Sequence, residues 1–359
     1  MQLPKYSALV CMILIHLFKP GDLFSQTAIN GFGHFEFHLE QTEQLNANFA
    51  IGEHDLFVTS RLNDKIQFLG EYVVRFNRNS PTNFLPSIER SLLNINYSGK
   101  HNIIIGKIHT PVNYWNDTYH HGRIFFPTIE RPLAFSYIVP IHTLGLQMQG
   151  QNIGKYNFGY DVVVGNGINS TDFANSGTHM SATIALHFKP FENSRFSVSH
   201  FLENTDRLQP GAHSGHAGVY AHYTGELYDG PMSIQLTSFS AAFFGQKFEL
   251  LNEFGFHRTQ TDSLGVANNF SNFSYVGYRI NDVSIPYACF DFIHIADNDL
   301  YVHPLDMYKV AVGYRHEISY LLSVKAQFEH TAAFYEHANP ANHAQMPQFA
   351  FRIQFAYGI

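Results

Sequence analysis

Charge, cysteine and long apolar runs are all scarce in this chain. Only 14% of its 359 residues are charged, and only two are cysteines. The net charge of -7 offers no basic surface, and nucleic-acid binding depends on clustered lysine and arginine, so we expect no nucleic-acid partner. After Phe24 no stretch approaches the roughly 18 consecutive apolar residues that a membrane-spanning helix needs. The sequence is therefore not that of a helical membrane protein.

The amino terminus has the layout of a secretory signal. Lys5 precedes an apolar stretch over residues 8–18, and the small residue Ser25 follows a short polar segment. This pattern predicts a signal peptide over residues 1–25 that is cleaved after export. Cleavage would leave Cys289 as the only cysteine, so the mature chain could form no internal disulfide. A closed, hydrogen-bonded barrel is one way to stabilise such an exported chain.

Apolar and aromatic residues are plentiful, but they alternate with polar ones. In the last strand-like segment the large apolar side chains share one parity, and the polar and small side chains share the other. The apolar set is Phe349, Phe351, Ile353, Phe355, Tyr357 and Ile359, and the opposite set is Gln348, Ala350, Arg352, Gln354, Ala356 and Gly358. One face suits lipid and the other suits water, as in a transmembrane β-barrel. A soluble β-sandwich also alternates, but the aromatic ending favours the membrane barrel.

About ten residues of alternation, followed by a turn or a loop, recur from Ile29 onward. We count about seventeen strand-like runs, but a barrel with both termini in the periplasm needs an even number, so we expect about sixteen strands within a range of about 14 to 18. The miscounted run falls between Asn204 and Lys247, where the alternation weakens. The predicted fold is all-β: a single antiparallel transmembrane β-barrel over residues 26–359, without a second domain.

Short turns and longer connections alternate between these runs. Residues that tolerate a left-handed backbone mark tight turns at 63–64, 98–99, 152–154 and 281–282. Longer loops are expected around residues 78–86, 110–140, 166–176, 259–271, 295–305 and 331–346. Short periplasmic turns and longer extracellular loops are typical of outer-membrane barrels.

Several sequence phrases resemble porin-like outer-membrane proteins of Bacteroidota and related bacteria. They read IGEHDLFV at residues 51–58, KIQFLGE at 65–71, GKIHTPVNYWNDTYHHG at 106–122 and QFAYGI at 354–359. These proteins are distantly similar to the phosphate-selective porin family. The resemblance implies the barrel fold and an outer-membrane location. Phosphate selectivity in that family rests on a ladder of arginine and lysine, which does not map residue by residue onto this chain.

The long loop at residues 110–140 is the candidate constriction loop. It holds the only tryptophan of the chain, and a loop this rich in aromatic residues is poorly suited to full solvation. In general porins the third extracellular loop folds into the lumen and narrows it, and the resemblance implies the same here. The predicted constriction residues are Tyr114, Trp115, His120, His121, Arg123 and Arg131.

Basic residues of inward parity are candidates for the pore lining. They are Arg75, Lys107, Lys309, Arg315, Lys325 and Arg352. A strip of positive charge would attract anionic solutes. The alternative is that these side chains pair with Glu71, Glu249, Glu253 and Glu329 and only solvate the wall.

The 22 histidines are the one compositional sign of a metal site. His120 and His121 are sequential and would point apart on an extended backbone. No histidines have the spacing of a closed zinc site with cysteines or of a helical His-Glu-x-x-His pair. We expect no metal and no other cofactor.

Together these patterns predict an outer-membrane porin-like channel for the passive diffusion of small hydrophilic solutes, with anions as one candidate class. The expected partners are outer-membrane lipid, the barrel assembly machinery that reads the aromatic last strand, and further copies of the chain in a homotrimer. One alternative is a non-conducting barrel that serves a surface complex as a structural or partner component. The other is a lipase-type outer-membrane enzyme, but no serine can be placed beside His142, His200 or His330, so we expect no enzyme.

Overall fold

The computed structural model describes residues 26–41, 44–76, 82–119, 122–168, 180–208, 228–302, 304–334 and 348–359. The predicted signal peptide, residues 1–25, lies outside the described residues, as do His120 and His121. Among the described residues, no helix is long and apolar enough to span a membrane.

Sixteen β-strands form one closed antiparallel sheet. Each strand pairs with the next along the chain, and β16 pairs with β1 to close the barrel. The strands are β1 Gln26–Gln41, β2 Leu45–Arg61, β3 Ile66–Phe76, β4 Phe84–Ser98, β5 His101–His109, β6 His142–Ile153, β7 Phe158–Asn166, β8 Met180–Phe188, β9 Ser194–Leu208, β10 Tyr228–Phe244, β11 Phe248–Thr261, β12 Gly265–Tyr278, β13 Ser284–Ile295, β14 Leu305–Ser319, β15 Leu322–Phe334 and β16 Phe349–Gly358. The predicted all-β barrel and its predicted strand number are confirmed.

The outer surface of the barrel is apolar. Side chains alternate between the two surfaces of a strand, so that on β14 Val312 is 54% exposed while Ala311 is 1% exposed. On β16, Phe355 is exposed while Gln354 is fully buried, as the parity of the last strand predicts. A continuous apolar belt around a closed barrel is stable against lipid, which makes this an outer-membrane-type barrel.

The two ends of the barrel differ in the length of their connections. The end at which β1 begins and β16 ends has short turns, and Gly99, Asn152 and Gly154 adopt a left-handed backbone there, with φ of 53°, 53° and 69°. The opposite end carries the longer connections, including residues 110–141. The predicted short and long ends are confirmed.

One predicted loop, residues 259–271, is wrong. β11 and β12 run through most of it and are joined by a turn at residues 262–264. The polar side chains that suggested a loop face the interior instead. The Thr259 hydroxyl and the Asn269 amide both donate to the Asp299 carboxylate, at 2.8 and 2.6 Å. A strand whose inward side chains are polar can therefore have the composition of a loop, which explains the wrong prediction.

The region of weak alternation, residues 204–247, contains the whole of β10, whose polarity is partly reversed. Ile234 and Leu236 are buried inside the barrel in an apolar cluster with residues of the 110–141 connection. On the outer side of the same strand, the Thr237 hydroxyl lies 2.9 Å from the Nδ1 atom of His200. The pattern of polar inside and apolar outside fails here because the interior itself is apolar.

Candidate functional site

The connection between β5 and β6 is called the inner loop below, and its described residues, 110–119 and 122–141, lie inside the barrel. Its two ends meet, because the Thr110 N–H donates to the Ile141 carbonyl at 3.0 Å and the Thr110 hydroxyl lies 2.8 Å from that of Thr143. The buried Asn116 amide donates to the carbonyls of Thr110 and Ile141, at 2.8 and 3.1 Å. The loop thus leaves and rejoins the wall at one place.

Three short helices organise the inner loop: α1 (Tyr114–Thr118), a 3-10 helix (Arg123–Phe125) and α2 (Leu133–Tyr137). Asn113 begins α1 with a left-handed backbone, φ 69°, and its side-chain oxygen accepts the N–H of Trp115 at 2.9 Å. Asparagine tolerates this backbone and caps a helix well. The start of α1 is therefore encoded locally.

Trp115 is the centre of an aromatic cluster that fixes α1 to the wall. Its side chain is fully buried, and the rings of Tyr119 and Phe126 each lie 5.2 Å from it, edge to face. Phe273 of β12 contacts it at 5.5 Å in the same manner. Such aromatic pairs contribute about 0.5–1.5 kcal/mol each beyond their buried area. Trp115 therefore anchors the loop.

Side chains of the wall also accept hydrogen bonds from the backbone of the inner loop. These acceptors come from β9, β10, β11, β13 and β15. The pairs are Asn113 with Ser199 at 3.3 Å, Tyr114 with Ser240 at 3.3 Å, Trp115 with Glu253 at 3.0 Å, Ile129 with Gln327 at 3.2 Å and Leu133 with Asp291 at 2.7 Å. Because every residue type except proline has a backbone N–H, the sequence of the loop does not show which of its residues bind the wall in this way.

Lys325 of β15 holds the loop near the 3-10 helix. Its fully buried ammonium group donates to three neutral oxygens: the carbonyls of Arg123 and Thr128 and, at 3.2 Å, the side-chain oxygen of Gln354. A buried cation is tolerated where its donors are satisfied. Lys325 and the loop carbonyls therefore fix each other's positions.

A chain of buried ion pairs connects α2 to the wall. Arg131 donates to both oxygens of Glu53 on β2, at 3.2 and 2.8 Å. Glu53 also accepts from Arg75 at 3.2 Å, and Arg75 donates to Glu89 of β4 at 2.8 Å. A two-point arginine–carboxylate contact fixes orientation as well as distance. The carboxylate of Glu53 thus determines where α2 begins.

A second charged group lies where the inner loop faces β16. Arg352 contacts three carboxylates, those of Glu40 at 2.6 Å, Glu130 at 3.0 Å and Glu329 at 2.5 Å. Burial alone raises the pKa of Glu130, but the positive charges of Arg352 and Arg123 outweigh burial and hold it below its ordinary value. Glu130 is therefore an anion at neutral pH.

All six predicted lining residues are buried in the structure: Arg75, Lys107, Lys309, Arg315, Lys325 and Arg352. The Lys107 ammonium group donates to the Ile88 carbonyl of the neighbouring strand β4 at 2.6 Å. Arg315 contacts Glu249 at 2.8 Å, and Arg352 contacts Glu329. Both Glu249 and Glu329 are acidic residues named in the sequence analysis as possible partners of the basic wall residues, so these two pairs fit the alternative in which such pairing only solvates the wall.

No protein-family model matches the sequence, and no curated protein is similar to it. Among solved structures, the trimer form of OmpT, an outer membrane protein of Vibrio cholerae, has a TM-score of 0.64 and 11% identity, over 93% of this chain and 99% of that chain. The anion-selective porin from Comamonas acidovorans has a TM-score of 0.63 and 9% identity, over 93% and 100%. Salmonella typhi OmpF in complex with daunomycin has a TM-score of 0.62 and 9% identity, over 93% and 97%.

This chain has the porin fold. Within its barrel, the described members of the predicted constriction set, Tyr114, Trp115, Arg123 and Arg131, all lie on the inner loop inside the lumen. Sequence reasoning missed Glu53 as the partner of Arg131. The alternation of β2 could have indicated that Glu53 faces the lumen, since Glu53 and Asp55 share one side of the strand and are both buried. Parity marks the face of a residue but not the segment it contacts.

Histidines do not form a metal centre in the described part of this porin fold. Across those residues, no three His, Cys, Asp or Glu side chains are grouped so that they could hold a metal ion. His34 and His38 instead contact Glu36 between them, at 3.4 and 2.6 Å. We therefore base no function on a metal.

Water reaches the inner loop of the porin barrel from both ends. At the end with long connections, the side chains of Glu40 and Glu130 are 24% and 32% exposed. At the end with short turns, Glu317 is 33% exposed. Between these levels Lys325 and Gln354 are fully buried. At the level of Lys325 the inner loop therefore packs directly against β15 and β16.

Proposed function

We propose that this protein is a porin-like channel of the outer membrane through which small hydrophilic solutes diffuse passively. The observation that carries the proposal is a sixteen-stranded barrel whose inner loop crosses the lumen and is held by wall side chains from β2 to β16. The porin fold and the phrases that resemble Bacteroidota proteins support the same conclusion. The lipid-facing belt and the aromatic last strand suit outer-membrane lipid and the barrel assembly machinery.

The constriction of this channel would lie between the inner loop and the wall formed by β1, β15 and β16. Arg123 and Arg131 are the predicted residues nearest to this passage, and Glu130 and Arg352 border it from the extracellular side. Tyr114 and Trp115 would set the width indirectly, by packing α1 against the opposite wall. The predicted roles of His120 and His121 belong to the same proposal.

Charge selectivity would be weak, with a preference for anions. Most inward cations are compensated, since Arg75, Arg315 and Arg352 each contact carboxylates. Lys325 differs, because its hydrogen-bond partners in the described part of the chain are neutral oxygens. Complete burial and the neighbouring Arg315 and Arg123 disfavour a charge on Lys325, so an anion preference requires that this side chain stay protonated in the lumen.

The decisive experiment is single-channel recording of the refolded full chain in a planar bilayer. We expect steady open steps, and we expect Phe126→Ala to enlarge them, because Phe126 is fully buried in the inner loop. Phe355→Ala makes the same change on the lipid-facing surface and should leave the steps unchanged. Silence from a folded barrel, with or without Phe126→Ala, would overturn the channel proposal.

One observation favours the second candidate, a non-conducting barrel that serves a surface complex. The charged side chains of the inner wall are almost completely buried, including Glu71, Arg75, Glu249 and Lys325. A filled lumen of this kind also suits an anchor protein. The bilayer recording separates the two candidates. A lipase-type enzyme has less support, since the outward His200 has a threonine hydroxyl as its neighbour rather than a serine.

We also propose that the barrel forms a homotrimer. OmpT of Vibrio cholerae, which shares the fold, has a trimer form. The test is the mass of the detergent-solubilised protein, measured by light scattering with the bound detergent subtracted. A mass of one chain in several mild detergents would contradict the trimer without affecting the channel proposal.

A further inference from the structure

A cavity of about 780 Å³ opens at the end of the barrel with the short turns. It lies between α1 of the inner loop and two neighbouring turns, residues 154–157 and 189–193. The volume is within the range of small-molecule sites, about 300–1,000 Å³. We call it the turn-side cavity. In an outer-membrane barrel this end faces the periplasm, so a solute would meet the cavity after the constriction.

Positive charge exceeds negative charge around the turn-side cavity. Lys155, Lys189 and Arg195 line it, and Glu192 is the acidic residue of the lining. Arg195 is already compensated, since it donates to the Asp117 carboxylate and lies over the Tyr114 ring at 5.5 Å. In total, three cationic side chains and two carboxylates, those of Glu192 and Asp117, lie in or beside the cavity.

Lys155 and Lys189 supply the charge that is available to a ligand. Both side chains are exposed, and neither has a carboxylate partner among the described residues. They lie on the two neighbouring turns that line the cavity, and the Lys155 ammonium group lies over the Tyr156 ring, 5.5 Å from its centroid. An anion between them would gain two favourable charge contacts without displacing an existing ion pair.

Aromatic rings form part of the remaining wall, beside several polar side chains. Tyr114 lies on the loop side, Phe191 belongs to the turn between β8 and β9, and Phe244 ends β10. Phe244 packs on Tyr119 and Tyr275, with ring centroids at 6.1 and 6.5 Å, which holds its ring in place. Aromatic walls beside a few charged groups are typical of sites for small organic ligands.

We propose that the turn-side cavity binds small organic anions with an apolar body, of the aromatic carboxylate class. The carboxylate lies between Lys155 and Lys189, and the apolar body contacts the rings of Phe191 and Phe244. The idea that such anions are transported solutes rests on the proposed channel function. The binding itself does not, because it can be measured without a membrane.

The test is titration of the refolded full chain in detergent with benzoate, followed by broadening of the benzoate NMR signals. Lys155→Gln/Lys189→Gln should weaken benzoate binding about tenfold, since two exposed charge contacts are lost. The control Arg61→Gln/Lys65→Gln removes the same charge from another short turn and should leave binding unchanged. The neutral isostere benzyl alcohol should bind the wild-type chain more weakly than benzoate.

Equal benzoate affinity in the wild-type and Lys155→Gln/Lys189→Gln chains would overturn the proposed site. Equal affinity for benzoate and benzyl alcohol would also overturn it, because the charge would then have no role. Both results leave the bilayer conductance untouched, so failure of this site and failure of the channel proposal are distinguishable. Benzoate binding by a barrel that does not conduct would retain the site and remove only its link to transport.

Discussion

Trp115 makes the inner loop observable, because it is the only tryptophan and is fully buried. We expect the emission of a buried indole and low quenching by acrylamide. Asn116→Ala removes two buried hydrogen bonds that join the loop ends, at a cost of about 1–3 kcal/mol. The variant should unfold at lower urea concentration and show more quenching. Asn268→Ala, on the exposed side of β12, is the control and should change neither.

Lys325 tests charge selectivity at a single residue. Lys325→Gln removes its charge but keeps an amide donor for the loop carbonyls, so the loop should stay in place. If Lys325 is protonated in the lumen, where its burial disfavours the charge, the reversal potential in a salt gradient should move toward cations. Lys65→Gln, at an exposed turn, should not change the reversal potential. An unchanged potential in Lys325→Gln, with unaltered Trp115 emission, would show that selectivity is set elsewhere.

The inner loop as an element depends on the contact between Arg131 and Glu53. Removing one partner of a buried ion pair costs about 3–5 kcal/mol, so Arg131→Gln and Glu53→Gln should each loosen α2 and raise the single-channel conductance. The double variant should be less destabilised than the sum of the two single variants, as measured by urea unfolding. Additive losses would mean that the pair does not hold the loop.

Protonation of Glu130 at acid pH should release the inner loop from Arg352 of β16. The pKa of Glu130 in the folded chain is below the ordinary value of 4.5, so its pair with Arg352 stabilises the loop at neutral pH and is lost as the pH falls through the folded pKa. We expect the contribution of Glu130 to the conductance to change only below pH 4.5. Glu130→Gln should show this acid change already at neutral pH. A transition between pH 6 and 7 in both chains would point to other groups, either a histidine or the buried carboxyls of Glu253 and Asp291 that hold the loop backbone.

The barrel as a whole depends on an apolar outer surface. Val312 lies at the middle of β14 and faces outward. Val312→Arg places a charge against lipid and should cost about 2–4 kcal/mol of unfolding free energy in vesicles. Tyr320→Arg, in a turn where the side chain is 85% exposed, should cost little. Equal effects of the two substitutions would contradict the membrane-embedded surface.

The strand number and the alternation could be predicted from sequence where the lumen is polar. On β16, apolar residues that face lipid alternate with polar or small residues that face the interior, so adjacent residues differ in hydrophobicity. On β10 this alternation is partly reversed, because the apolar Ile234 and Leu236 face the interior and pack against the inner loop. The error at residues 259–271 has a different origin, since polar side chains that face the lumen give two strands the composition of a loop.

The sequence by itself determined the barrel, because the two-residue period of a strand is local and repeats in every segment. It also marked the inner loop, through its length and its aromatic residues. Only the tertiary structure decided which charges meet: Arg131 reaches Glu53 across 78 positions, and Arg352 reaches Glu130 across 222. Such pairings depend on the path of the loop across the lumen. That path is set by wall groups from many strands acting together, and no local pattern records it.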